Sequence, residues 1–174
     1  VQSIKFNCGS AVKTITLTST KQIVYATTIN GGNKIILEGK NVRLLVYSIP
    51  KVYTLKNITL KNGKADNGAA IYNEEPLTLV NVRFETNKAT EYGGAIYNRG
   101  ALTIRKSTFT SNTAKYVGGA IYNQDGRLTV INSTFTSNTA LTPNQLTGGG
   151  AIFSLRGEVD LQGGLFTKNS AIDG

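Results

Sequence analysis

The fold of this chain is decided by one stretch, Gly93-Gly-Ala-Ile-Tyr-Asn-Arg-Gly-Ala-Leu-Thr-Ile-Arg-Lys-Ser-Thr-Phe-Thr-Ser-Asn112. The same pattern returns at 118–138 and, more loosely, at 149–169, and an earlier copy spans 67–87. Counted between the motif isoleucines, successive copies are 25, 25 and 31 residues apart. A regular period in this range indicates a solenoid, in which each repeat buries its apolar face against its neighbours.

The residue pattern inside each repeat predicts strands. Leu102-Thr-Ile104 and Leu128-Thr-Val130 alternate apolar and polar residues, as half-buried strands do. β-Branched and aromatic residues are separated by Gly, Asn and Asp, which favour turns. About 25 residues accommodate three short strands and three turns. The sequence therefore predicts an all-β fold, a right-handed parallel β-helix of about seven coils with three short strands per coil.

Equivalent residues of stacked coils lie about 4.8 Å apart, so each motif position becomes a column. We expect inward isoleucine and phenylalanine columns, an asparagine column at a turn and an outward aromatic column. Asn tolerates left-handed turn geometry, and its amide can bond to the next coil. The columns are Ile71, Ile96, Ile121 and Ile152; Phe84, Phe109, Phe135 and Phe166; Asn87, Asn112, Asn138 and Asn169; and Tyr72, Tyr97, Tyr122 and Phe153. The first three are expected to be scaffold, whereas the aromatic column is either scaffold or an exposed surface that binds sugar or protein.

The pairing of Gly-Gly-Ala-Ile with Phe-x-x-Asn resembles the repeat signature of the chlamydial-type polymorphic outer-membrane proteins. The paired motif covers residues 67–174, whereas residues 1–66 lack it. The resemblance implies a bacterial β-helix of the autotransporter-passenger type, exported to the cell surface or beyond and often adhesive.

We expect a single β-helix domain over residues 1–174, with irregular basic coils in 1–66 and regular coils in 67–174. The step of 31 residues predicts an inserted loop at 141–147. No run of apolar residues is long enough for a transmembrane helix, and no signal peptide is recognisable. The chain is therefore expected to be a mature or excised piece, open or truncated at both ends. Open ends predict a homo-oligomer or a head-to-tail filament.

The net positive charge of the chain comes from its first third. Residues 1–64 contain ten Lys or Arg and one acid, Glu38, whereas residues 65–174 contain nine of each sign. This segment is either a solvated surface or a basic face for an anionic partner, such as an acidic polysaccharide, an acidic protein or lipid headgroups. No nucleic-acid-binding motif accompanies the charge. The single cysteine, Cys8, is either a buried small residue or the partner of an upstream cysteine, as in related β-helix proteins.

Catalytic β-helices use grouped carboxylates, often with His, or Asp clusters that bind calcium. The chain has no His, and its closest strand carboxylates are Glu158 and Asp160, near Arg156. We expect this pair on a solvated strand face, and we predict no catalytic residue, no metal site and no cofactor. The predicted function is that of a non-catalytic extracellular surface protein, structural or adhesive. The alternative is a fragment of a polysaccharide lyase or hydrolase whose catalytic acids lie elsewhere in the native protein.

Overall fold

The computed structural model describes residues 1–141 and 148–172. Within these ranges the chain forms twenty β-strands, which are grouped in three sheets with parallel pairing throughout. The described residues contain no helix that is long and apolar enough to cross a membrane.

The strands of the three sheets follow one another around the solenoid. The first sheet contains β1 (Gln2–Lys5), β2 (Lys13–Leu17), β4 (Thr27–Gly39), β6 (Tyr53–Lys61), β9 (Leu77–Glu85), β12 (Ala101–Arg105), β13 (Thr108–Thr110), β16 (Arg127–Thr136) and β19 (Glu158–Thr167). The second sheet contains β3 (Lys21–Gln22), β5 (Leu45–Tyr47), β8 (Ile71–Asn73), β11 (Ile96–Asn98), β15 (Ile121–Gln124) and β18 (Ile152–Leu155). The third sheet contains β7 (Lys64–Asn67), β10 (Lys88–Tyr92), β14 (Thr113–Ala114), β17 (Thr139–Ala140) and β20 (Ser170–Ala171).

Each regular coil visits the sheets in a fixed order. The chain runs from β11 through β12 and β13 to β14, and then returns to pair β15 with β11. The register places Ile96 between Ile71 and Ile121, so the motif is in phase from coil to coil. The predicted parallel solenoid is confirmed, and the six strands of the second sheet correspond to about six turns, close to the seven predicted.

A single left-handed residue bends the first sheet in each regular coil. Asn57, Asn81, Lys106 and Asn132 occupy this corner with φ between 48° and 53°. The corner divides the outer face of the first sheet in two: the upstream half precedes the corner residue in each coil, and the downstream half follows it. Asn suits this position because its short polar side chain tolerates left-handed geometry.

Aromatic rings stack along the axis of the core. The centroids of Phe84 and Phe109 are 4.5 Å apart, as are those of Phe109 and Phe135, and those of Phe135 and Phe166 are 4.7 Å apart. The rings lie within 5° of parallel. Three of them have no exposed surface, whereas Phe166 in the last coil is 42% exposed. The periodic phenylalanine thus gives a continuous column of buried apolar area.

The second buried column consists of amides, and its turn geometry differs from the prediction. The left-handed φ belongs to the residue before each asparagine, as in Ser111, whose φ is 55°. The reason is that the asparagine side chain points inward. Asn112 Oδ1 accepts bonds from Asn87 N and Nδ2, and Asn112 Nδ2 donates to Phe84 O and Asn138 Oδ1. We call this column, Asn87, Asn112, Asn138 and Asn169, the asparagine ladder.

The irregular N-terminal coils carry extra residues at the corner of the first sheet. Asn30 pairs with Lys56 and Ile35 with Ile58, so residues 31–34 stand where the next coil has Asn57 alone. Gly31 is required in this loop because a Cβ there would lie 2.5 Å from a backbone oxygen of the next coil.

A longer excursion, residues 6–12, separates β1 from β2. Phe6 and Cys8 within it pack against the core, and Cys8 is a free, half-buried thiol. The inserted loop predicted at 141–147 falls, apart from Leu141, outside the described residues.

Candidate functional site

The predicted aromatic column lies on the outer face of the second sheet. The ring centroids of Tyr72 and Tyr97 are 5.1 Å apart, those of Tyr97 and Tyr122 are 5.2 Å apart, and those of Tyr122 and Phe153 are 5.8 Å apart. The rings therefore stack on one another along the solenoid axis. Arg43 covers the upstream end, with Cζ 5.2 Å from the centre of the Tyr72 ring. Neighbouring side chains occupy the faces of the three tyrosine rings on which a sugar would stack, and Tyr122 covers one face of Phe153.

The side of this column is also partly covered. The Tyr92 ring lies 5.0 Å from Tyr122 and 5.5 Å from Tyr116. Tyr122 is only 3% exposed as a result, so the expectation of an exposed aromatic row is wrong at this residue. Tyr72, Tyr97 and Phe153 are half-buried.

Two hydroxyl groups of the column, those of Tyr72 and Tyr97, have partners within the protein. Tyr72 OH donates to Glu74 Oε1 at 3.1 Å, and Tyr97 OH donates to Gln124 Oε1. Burial, together with the neighbouring Tyr72 and Tyr122, raises the pKa of Tyr97 to about 12. The column is stabilised by contacts among its own members and their neighbours.

The acidic residues considered for catalysis lie on the last coil. Glu158 Oε2 is 3.4 Å from Arg127 Nε, and Asp160 accepts a hydrogen bond from Gln162 Nε2 at 2.7 Å. Both carboxylates are exposed, and Arg156 pairs with an aspartate of the preceding coil at 2.8 Å. No three His, Cys, Asp or Glu side chains form a cation-binding group in the part of the chain that the structure describes.

Sequence reasoning missed a second amide ladder inside the second sheet. Asn73 Nδ2 donates to Asn98 Oδ1 at 2.8 Å, Asn98 Nδ2 to Asn123 Oδ1 at 2.7 Å, and Asn123 Nδ2 to Ser154 Oγ at 3.1 Å. The signal was present, because an asparagine follows Ala-Ile-Tyr in three copies. Tyr47 precedes Asn73 in this column, and its hydroxyl is buried without a hydrogen-bond partner.

Sequence reasoning also missed a cleft of about 470 Å³ on the downstream half of the first sheet. It lies where the irregular coils meet the first regular ones. Val12 and Ile36 contribute exposed or half-buried apolar surface to its wall. Its polar lining is supplied by Asn33, Thr59, Asn81, Arg83 and Glu85. A volume of this size is typical of small-molecule sites.

The inserted loop 31–34 forms one side of the cleft by crossing the next coil. Asn81 Nδ2 donates both to Asn33 Oδ1 at 2.8 Å and to Asn57 Oδ1 at 2.9 Å. Asn57 Nδ2 in turn donates to Asn30 Oδ1 at 2.9 Å. The corner amides therefore hold Asn33 over the outer face of the sheet, two coils beyond its own strand.

The polar side chains of the cleft retain unused hydrogen-bonding atoms. Among the described residues, the free atoms are Asn33 Nδ2, Asn81 Oδ1, Thr59 Oγ1, the Arg83 guanidinium and the Glu85 carboxylate. Thr59 and Arg83 are direct partners on adjacent strands, and Glu85 follows on the same face. Amide, hydroxyl and charged groups of the cleft are thus available to bond to a ligand, in contrast to the amides of the ladders, which bond to one another.

The surroundings of the cleft carry unpaired positive charge. Lys13 and Lys34 lie beside the lining residues Val12 and Asn33, and Lys34 Nζ donates to a backbone oxygen at 2.6 Å. Among the described residues, the basic segment 1–64 contains one ion pair, in which Lys61 Nζ is 3.4 Å from a Glu38 oxygen. The excess charge seen in the sequence is therefore not neutralised by ion pairs among the described residues.

Comparison with known proteins gives one match. Residues 81–99, 106–124 and 132–155 match the model of the Chlamydia polymorphic membrane protein (Chlamydia_PMP) repeat. Each matched segment begins at a left-handed corner residue of the first sheet and reaches the strand of the second sheet. Searches of curated proteins and of solved structures give no match. The chain is therefore a parallel β-solenoid, and three of its segments are similar to the Chlamydia polymorphic membrane protein repeat.

Proposed function

We propose that this chain acts at a bacterial cell surface as a non-catalytic β-helix with an adhesive or structural role. The observation that carries the proposal is the match of three repeats, in register, to a family named for membrane proteins of Chlamydia. That family is named for membrane proteins, and for the present chain we infer a surface-exposed location at the outer membrane.

The architecture supports a role in display. In the regular coils, buried amides and aromatic rings bond or stack with their equivalents in the next coil. A solenoid of this kind is rigid and quasi-one-dimensional, so it holds its irregular coils at a fixed position along a rod. The cleft lies where those irregular coils meet the first regular one, so residues of both parts line the candidate binding surface.

Surface location is tested by labelling intact cells of the source bacterium with antibodies against the chain. We expect labelling without permeabilisation and its loss after external protease treatment. Labelling that requires permeabilised cells contradicts the proposed location.

The adhesive form is tested with beads coated with the 174-residue chain and applied to epithelial cells and to polysaccharide-coated surfaces. Beads coated with heat-denatured chain serve as the control. Equal retention of both preparations on every surface contradicts adhesion.

The structural form of the proposal is head-to-tail assembly of copies. The last coil carries large apolar side chains, Val159, Leu161, Leu165 and Phe166, that are 39–55% exposed. Covering them with a further coil would extend the same columns and is favoured by apolar burial. Negative-stain imaging together with light scattering tests this form. Isolated monomers at all concentrations contradict it, whereas rods that lengthen with concentration support it.

A further inference from the structure

We propose that the cleft beside Arg83 binds a saccharide that carries a carboxylate, such as a uronic acid or a sialic acid. The inference rests on the proposed adhesive function for its biological setting, and it names the ligand class and the place of binding. The cleft is defined by Val12, Ile36, Thr59, Arg83 and Glu85 together with the amides of Asn33 and Asn81.

The cation of the site is Arg83. Its side chain is exposed and makes no ion pair or hydrogen bond with the described residues. On the adjacent strands its register partners are Thr59 and Thr108, which carry no charge. A planar guanidinium in this position can bind a carboxylate through two parallel hydrogen bonds.

The remaining polar groups suit hydroxyl groups. Asn33 Nδ2 offers a donor, Asn81 Oδ1 and the Glu85 carboxylate offer acceptors, and the Thr59 hydroxyl offers both. The Glu85 carboxylate repels a ligand with several negative charges but accepts bonds from neutral hydroxyls. This mixture distinguishes a sugar with one carboxylate from an acidic peptide or a heavily sulfated chain.

The size and apolar surface of the cleft agree with this ligand class. The volume of about 470 Å³ accommodates one or two sugar rings. Val12 is 60% exposed at the cleft wall, and Ile36 lies half-buried behind it. These side chains can pack against the C–H face of a sugar ring, which removes apolar surface from water.

The charge of the N-terminal segment favours an acidic ligand over a neutral one. Lys13 and Lys34, which are adjacent in sequence to the lining residues Val12 and Asn33, make no ion pair among the described residues. Their field attracts anions over roughly a Debye length, about 10 Å at moderate ionic strength. The lysines therefore speed up encounter, whereas Arg83 and the amides select the ligand.

The test is a glycan array followed by titration calorimetry with the 174-residue chain. The probes are galacturonic acid, a sialylated trisaccharide and the methyl ester of galacturonic acid. We expect binding of at least one acid probe and about tenfold or greater weakening for the neutral ester, because a charge-assisted bond is lost. We expect a similar loss for Arg83→Gln.

The matched control is Arg105→Gln. Arg105 is also exposed and unpaired within the described part of the chain, but it lies on the upstream half of the same sheet, outside the cleft. Asn33→Gly tests the loop amide while keeping the left-handed backbone. Circular dichroism confirms that each variant is folded.

The results separate failure of the site from failure of the function. No binding of any acid probe at millimolar concentration, or equal weakening by both arginine variants, overturns the site. Binding of heparin that survives Arg83→Gln but disappears with salt indicates a non-specific polyanion surface and also overturns it. Bead adhesion that persists in Arg83→Gln preserves the proposed function without this site, whereas wild-type beads that fail to adhere contradict the adhesive function itself.

Discussion

Replacement of Asn112 by alanine tests whether the asparagine ladder stabilises the solenoid. The side chain is fully buried and makes four hydrogen bonds, two with Asn87, one with Phe84 O and one with Asn138 Oδ1. Each bond contributes about 1 kcal/mol net, and each buried group left without a partner costs about 1–3 kcal/mol. Water entering the vacated space recovers part of this loss. We therefore expect the free energy of unfolding to fall by about 3–5 kcal/mol.

The measurement is urea unfolding followed by circular dichroism. Thr110→Ala on the same coil is the control, because its side chain is exposed and makes no hydrogen bond with the described residues. We expect the control to change stability by less than about 0.5 kcal/mol. If the two variants unfold at the same urea concentration with equal slopes, the ladder does not stabilise the fold and our reasoning is wrong.

Asn112→Asp refines the same test through its pH dependence. A carboxylate keeps the bonds from Asn87 but places an acceptor against Phe84 O and Asn138 Oδ1, so burial and repulsion raise its pKa above the unfolded value near 3.9. The protonated form is then favoured in the folded state. The stability deficit relative to wild type is therefore largest at neutral pH and shrinks as the pH falls through the raised pKa. A deficit that is constant from neutral to acidic pH contradicts burial of this side chain.

Four further outcomes follow from the structure. Phe109→Ala should lower the free energy of unfolding by about 3–5 kcal/mol, because the ring is fully buried between two others. Phe109→Leu should lower it by about 1.5 kcal/mol or less. Equal urea midpoints for the two variants would contradict this expectation. Tyr47→Phe should be neutral or stabilising, because the Tyr47 hydroxyl is buried without a partner. Tyr53→Phe should cost about 1 kcal/mol of stability, because the Tyr53 hydroxyl donates to backbone oxygens at 2.7 and 3.0 Å. A lower melting temperature for Tyr47→Phe than for Tyr53→Phe would contradict this expectation. Gly119→Ala should prevent stable folding, because the new Cβ would lie 2.1 Å from the oxygen of the corresponding glycine in the next coil, and a cooperative wild-type-like melt would show that the coils can separate. The folded-state pKa of Tyr97, about 12, lies above the unfolded-state pKa near 10. The contribution of Tyr97 to stability is therefore fully present below about pH 10 and is lost as the pH rises to about 12. Replacement of Tyr97 by phenylalanine should reduce this loss in melts recorded across that range.

The sequence predicted the scaffold well because a solenoid repeats its local environment. A period of 25 residues requires equivalent positions to stack, so the columns of Ile96 and Phe109 were visible as recurring letters. The left-handed residue at the asparagine turn was misplaced by one position. Spacing cannot distinguish an asparagine that adopts the turn conformation from one that follows it and points its amide inward.

The aromatic column shows a second limit of sequence reasoning. Alternation with isoleucine placed Tyr122 on the outer face, but exposure depends on what covers that face. Tyr92 comes from a different sheet and packs against it, a contact that no periodicity within the repeat encodes. Register between the earliest irregular coils was equally hidden. Strand pairing shows that Thr28 aligns with Thr54, and the outer column continues through Thr78, Thr103 and Thr129.

The sequence by itself determined the solenoid, its inward columns and the location of the net positive charge in the first third of the chain. Only the tertiary structure determined the cleft. Asn30-Gly-Gly-Asn33 has the composition of a turn, yet this segment crosses a neighbouring coil so that Asn33 meets Asn81, 48 positions away. Local propensity describes which residues can turn, whereas the direction in which an inserted loop projects depends on contacts with coils that are distant in sequence. The repeat therefore encodes the rod, and departures from the repeat create the surface on which a ligand can bind.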